Sequence, residues 1–174
     1  KGSYPTMLLI LFGVPGAGKS FAGHILRDDY GVHFHDADHE LPEDMRHALA
    51  SKLPVTDDMR QRFFERVIRV TRRLTEYHEH VAIAQAFMKE QHRQMVLRAF
   101  PQAQFILVTS RPDLIEQRFA QRSDYLIDLE DARRIAAVFE PPQIPHRVLP
   151  NNGDREGLSV KLALLLNGQL KDVT

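Results

Sequence analysis

Cysteine is absent from this 174-residue chain, which excludes disulfides and thiolate metal sites but says little about compartment. An excess of charge is absent too, since 23 Lys plus Arg balance 23 Asp plus Glu. No global field therefore draws the protein toward nucleic acid or a membrane surface. No apolar run approaches the ~18 residues of a membrane span, and no signal-peptide pattern is evident. Internal repeats, low-complexity tracts and long linkers are likewise missing. The remainder, 43% hydrophobic and 26% charged, has the proportions of an ordinary globular chain. The expectation is one domain over residues 7–174, with residues 1–6 the remnant of an expression tag. A cytoplasmic monomer or homodimer is the default.

Gly13-Val14-Pro15-Gly16-Ala17-Gly18-Lys19-Ser20 fits G-x-x-x-x-G-K-[ST], the phosphate-binding loop. The apolar run Met7-Leu8-Leu9-Ile10-Leu11-Phe12 precedes it and reads as a buried parallel strand. Phe21, Ile25 and Leu26 follow at helical spacing, so a helix should begin near Lys19. Glycines at 13, 16 and 18 allow the backbone to close on an anion. The loop amides and the helix dipole then favour negative charge. Lys19 is placed to reach the β- and γ-phosphates of a nucleoside triphosphate, and the Ser20 hydroxyl to ligate Mg²⁺.

Beyond the first helix a turn is expected at Asp28-Asp29-Tyr30-Gly31, then a strand over residues 32–36 that delivers Asp36-Ala37-Asp38 to its end. Ligands of open α/β sheets sit outside the carboxyl ends of strands, so these two acids face the loop's side. Asp also favours helix caps, so capping is the competing role for the pair. Helices are predicted over residues 42–51 and 57–79, the second carrying a stripe of Phe63, Val67, Val70 and Leu74. Its other edge bears Arg62, Arg66, Arg69 and Arg73, either a solvated face or an anionic docking face. Strands at 81–84, 104–109 and 147–149 alternate with helices at 89–98, 111–122, 132–139 and 154–166. That alternation implies a single α/β domain, a five-stranded parallel sheet with helices on both faces and a short helical lid over residues 118–140. His33, His35 and His39 invite a metal reading, but no cysteine or H-E-x-x-H accompanies them.

Among phosphate-loop branches, GTPases need N-K-x-D, and no Asn-Lys pair occurs. Motor and AAA-type ATPases carry an acidic residue at the end of an apolar strand, whereas here those strands end at Gln85 and at Thr109-Ser110. A small-molecule kinase needs an acceptor site near the γ-phosphate and a mobile lid with arginines. Asp36-Ala37-Asp38 and the pair Arg118/Arg122 answer those needs.

Three further blocks resemble the gluconate kinases, relatives of the shikimate kinases. They are Phe34-His35-Asp36-Ala37-Asp38, the run Leu53-Pro54-Val55-Thr56-Asp57-Asp58-Met59-Arg60, and the stretch from Arg118, Phe119 and Arg122 to Phe139-Glu140-Pro141-Pro142. The resemblance implies an ATP-dependent transfer of the γ-phosphoryl to a hydroxyl of a small molecule such as a carbohydrate or sugar acid. It places one carboxylate of the Asp36/Asp38 pair near the Mg²⁺ shell and the other on the acceptor hydroxyl, with Asp36 favoured for the first role and Asp38 for the second. Arg60, Lys89 and Arg93 are assigned to the substrate, and Arg118 and Arg122 to the lid. The chain departs from the family at Leu41, Met45 and Ala86, where a histidine, an asparagine and a serine are usual, and at Tyr125-Leu126, where the lid has His-Phe. Two other classes remain: a regulatory protein that binds nucleotide without transfer, and a kinase for a nucleic-acid end or larger hydroxyl substrate.

Overall fold

The computed structural model describes residues 7–123 and 126–166. Its strands are β1 (Met7–Phe12), β2 (His33–Asp36), β3 (His80–Ala84), β4 (Gln104–Thr109) and β5 (His146–Pro150). All pair in parallel, in the order β2-β3-β1-β4-β5. Seven helices are present among the described residues: α1 (Lys19–Tyr30), α2 (Glu43–Ala50), α3 (Asp57–Tyr77), α4 (Glu90–Ala99), α5 (Pro112–Gln121), α6 (Leu129–Ala137) and α7 (Arg155–Leu166). The five-stranded sheet and its helical layers are those the sequence predicts.

Every residue of β1 is buried, as a central parallel strand covered on both faces requires. Leu9 and Leu11 point toward α1 and α7, where Ile25, Leu26, Leu158 and Leu162 complete one core. Leu8, Ile10 and Phe12 point the other way, against Phe63, Phe64 and Val67 of α3 and Val96 of α4. The strand's period of two thus divides its side chains between two cores. Thr56 starts α3 by accepting from the Met59 amide at 3.1 Å, with Asp57 and Asp58 in the positive first turn.

Several local expectations are corrected. Asp28, Asp29 and Tyr30 form the last turn of α1 rather than a loop, and Gly31 ends the helix at φ 67°. Tertiary bonds hold that turn: Arg155 reaches Asp29 at 2.7 Å, and the Tyr30 hydroxyl donates to the Ser159 carbonyl at 3.0 Å. Residues Ala37–Glu40 form a short 3-10 turn, capped by Asp36 accepting from the Asp38 amide at 2.9 Å. Lys89 caps α4 instead of lying within it. The predicted helix ending at Phe139 stops at Ala137, because the Phe139 ring leaves to pack on Phe12. The lid's helical part is α6, while its Tyr125 lies outside the described residues, as do residues 1–6 and 167–174.

Candidate active site

The glycine loop leaves the centre of the sheet at the carboxyl end of β1. Gly13, Gly16 and Gly18 adopt φ of 148°, 81° and 95°, conformations that side chains rarely take. A Cβ on Gly13 would stand 2.4 Å from the Val108 carbonyl oxygen, and one on Gly18 would stand 2.0 Å from the Asn151 side-chain nitrogen. The loop therefore packs directly on the ends of β4 and β5.

A cleft of about 540 Å³ opens beside it. Pro15, Gly16, Gly18, Lys19 and Ser20 form one wall. Asp36, Asp38, Arg60, Lys89, Arg118 and Arg122 also line it, so most residues singled out from sequence converge there. Gly13, Val14 and Ala17 are not among the cleft-lining residues; Val14 and Ala17 pack against the core on the α1 side of the sheet. Lys19 Nζ donates to the Gly13 and Val14 carbonyls, both at 2.9 Å. Burial lowers its pKa to about 8, against the opposing pull of Asp38 and Asp36.

The Ser20 hydroxyl donates to Asp36 Oδ2 at 3.2 Å. Asp36 is thus both the predicted cap of the 3-10 turn and a neighbour of the loop. Asp38 Oδ1 accepts from Gln85 Nε2 at 2.9 Å. Burial, and then the charge of Asp36, raise the Asp38 pKa above the usual carboxylate range. A hydroxyl and a carboxylate side by side are hard oxygen donors suited to Mg²⁺ beside a phosphate.

Arg118 donates to the Gly16 carbonyl at 2.8 Å, to Ser110 Oγ at 2.7 Å and to the Asn151 carbonyl at 3.1 Å. It therefore braces the loop from below as well as bordering the cleft. Arg60 donates to the Val55 carbonyl at 2.8 Å, and Lys89 lies 3.5 Å from Asp57.

Arg93 is not brought to the cleft. Its side chain is 0% exposed and donates to the Phe87 carbonyl at 2.7 Å and the Glu140 carbonyl at 2.8 Å. Its guanidinium also lies over the rings of Phe139 and Phe12. The pairing of Lys89 and Arg93 on one substrate-facing helix surface is thereby corrected: one caps α4 and the other turns into the core.

Elsewhere, Arg62 pairs with Asp44 at 2.5 Å and Asp58 at 3.0 Å, and Arg66 with Glu40 at 2.9 Å. His33 stacks on His78 with ring centroids 3.9 Å apart, and His35 meets Glu40 at 3.2 Å. Among the described residues no group of three His, Cys, Asp or Glu is arranged to hold a metal ion.

Sequence reasoning did not assign Gln85, Ser110 or Asn151. Each stands at or just beyond the carboxyl end of a strand, the edge where α/β ligands gather. Polar residues at those positions were the available signal.

A protein-family model described as an AAA domain matches residues 8–142. A Mus musculus protein named probable gluconokinase is 22% identical over 175 residues, covering 91% of this chain and 95% of that protein. A solved sugar kinase from Janibacter sp. HTCC2649 superposes with a TM-score of 0.81 at 18% identity, covering 94% of this chain and 95% of that one. A gluconokinase from Sinorhizobium meliloti 1021 gives 0.73 at 18% identity, with the same coverage. In this chain β3 ends at Ala84 and β4 at Thr109, so the strand-end carboxylate expected of AAA-type ATPases is missing although the scaffold is matched. By that match over most of its length, the chain belongs to the AAA-domain family of P-loop proteins and is similar to proteins named probable gluconokinase.

Proposed function

We propose that this chain is a kinase that transfers the γ-phosphoryl of Mg·ATP to a hydroxyl of a small molecule held in the cleft. The observation that carries the reading is the convergence of Lys19, the Ser20–Asp36 pair and Asp38 on one opening beside the loop. The names of its relatives support it.

The loop amides cradle the phosphates, and Lys19 exchanges its two carbonyl partners for phosphate oxygens. Ser20 and Asp36 would hold Mg²⁺, which supplies charge neutralisation on the β- and γ-phosphates. Gln85 fixes Asp38 through Oδ1, leaving Oδ2 to accept a proton from the acceptor hydroxyl. A bond forms from that hydroxyl oxygen to the γ-phosphorus as the bond to the β–γ bridging oxygen breaks, and the proton passes to Asp38. The raised Asp38 pKa makes it a stronger base than an exposed carboxylate, while Arg118 and Arg122 border the developing charge.

Incubation with Mg·ATP and a panel of sugar acids, cyclic polyols and small alcohols should release ADP above the rate without acceptor. Asp38→Asn should lower kcat by about 10²- to 10⁴-fold and leave ATP affinity within a few-fold. An unchanged rate in that variant overturns the role of Asp38. ATP binding without any acceptor-stimulated turnover would instead favour a nucleotide-sensing protein.

A further inference from the structure

The half of the cleft facing the loop is apolar. Leu41 and Met45 approach from the α2 side, Phe64 from α3, Phe87 from the turn after β3, and Ile127 and Ile135 from the lid. Phe87 holds φ 47° and is almost wholly buried, a strained conformation of the kind found where structure is tied to function. Arg93 pins it through its carbonyl at 2.7 Å. His92 adds no charge to this wall: it stacks on Phe64 with centroids 4.2 Å apart, and burial lowers its pKa to about 4.

Apart from the neutral His92 imidazole and Arg122 on the lid side, the polar side chains of this half gather in two places. One is Asp38, held by Gln85. The other is the pair Arg60 and Lys89, which both border the single carboxylate of Asp57, at 3.4 and 3.5 Å. That carboxylate is 82% exposed, whereas the side chains of Arg60 and Lys89 are 22% and 35% exposed. Two partly buried cations against one solvated anion leave a net positive spot within the cleft.

Resting on the kinase reading above, we propose that the acceptor is a hydroxy acid with an apolar body rather than a polyhydroxy acid. Its hydroxyl meets Asp38, its hydrocarbon framework lies on Leu41, Met45, Phe64 and Phe87, and its carboxylate meets Arg60 and Lys89. A polyol would bring several hydroxyls against side chains that neither donate nor accept. Each one left unpaired weakens binding by roughly 10-fold. An apolar framework gains from the same wall by leaving water.

The test compares 4-(hydroxymethyl)benzoate and 6-hydroxyhexanoate with gluconate and benzyl alcohol, using the full chain with Mg·ATP and following both ADP and phosphorylated product. The better apolar hydroxy acid should exceed gluconate in kcat/KM by at least 10-fold. Benzyl alcohol, which lacks the carboxylate, should fall at least 10-fold below 4-(hydroxymethyl)benzoate. In Met45→Gln the ratio of the apolar acid to gluconate should shrink by 10-fold or more. That ratio is independent of how much of the variant is folded, so loss of stability does not mimic the effect. Gluconate turned over as well as the apolar acids overturns this inference and keeps the kinase reading. No turnover of any acceptor by protein that binds Mg·ATP overturns both.

Discussion

Lys19 shows how one residue's protonation couples to ligand. In the ligand-free protein burial lowers its pKa to about 8, so it loses its proton as pH rises through that value. A triphosphate needs the cation, so affinity for ATP should decline above that pH. Calorimetry in buffers of different ionisation enthalpy should then show proton uptake on binding one unit above the lowered pKa, and almost none one unit below it. The stability sign is opposite: between the lowered value and the ordinary Lys value of about 10.4 the unfolded chain binds more protons, so the ligand-free fold gains stability there as pH rises. Asp38 behaves in the other sense. Its raised pKa means that turnover should fall on the acid side at a pH above the usual carboxylate range, and the pH–rate profile checks it.

At the scale of elements, the turn between β3 and α4 organises the cleft. Arg93 bridges the Phe87, Met88 and Glu140 carbonyls from inside the core, which ties the segment after α6 to the turn carrying Phe87. Arg93→Met should cost about 3 kcal/mol or more in urea unfolding, because buried carbonyls lose their donors. If Arg93 contacted an acceptor instead, the loss would appear in KM with stability unchanged. The helix periodicity of α3 was legible from its stripe, as were the positions of β1, β3 and β4 from their apolar runs. Arg93 was not legible, because spacing reports which face a residue occupies on its helix and not where a long side chain finds partners. Lys89 and Arg93 share four-residue spacing and end in different environments, one beside Asp57 and the other under Phe12 and Phe139. The exposed Arg62 and Arg66, paired with Asp44 and Glu40, illustrate the blander outcome, with pairs worth about 0–1 kcal/mol each.

The whole molecule is a sheet between two cores. Leu162, 0% exposed, belongs to one and Phe63, 2% exposed, to the other. Leu162→Ala should destabilise by about 2–5 kcal/mol and Phe63→Ala by about 3–5 kcal/mol. Because β1 contributes side chains to both cores, each variant should retain a single urea transition, seen alike by helix content and by chemical shift. Two separate transitions would show that the faces fold independently. Phe63 also lines the cleft, so its variant joins the stability of that core to the site it encloses.

The phosphate loop, the parallel sheet and the acids at the end of β2 were all readable in the chain, because each rests on local chemistry: glycines that permit positive φ, apolar runs and strand-end position. The partners of long side chains were settled in three dimensions. Arg118 beneath the loop, Arg93 inside the core and the hydrocarbon wall opposite Lys19 each depend on segments distant in sequence. A residue type states what a side chain can offer, and packing decides which neighbour takes it.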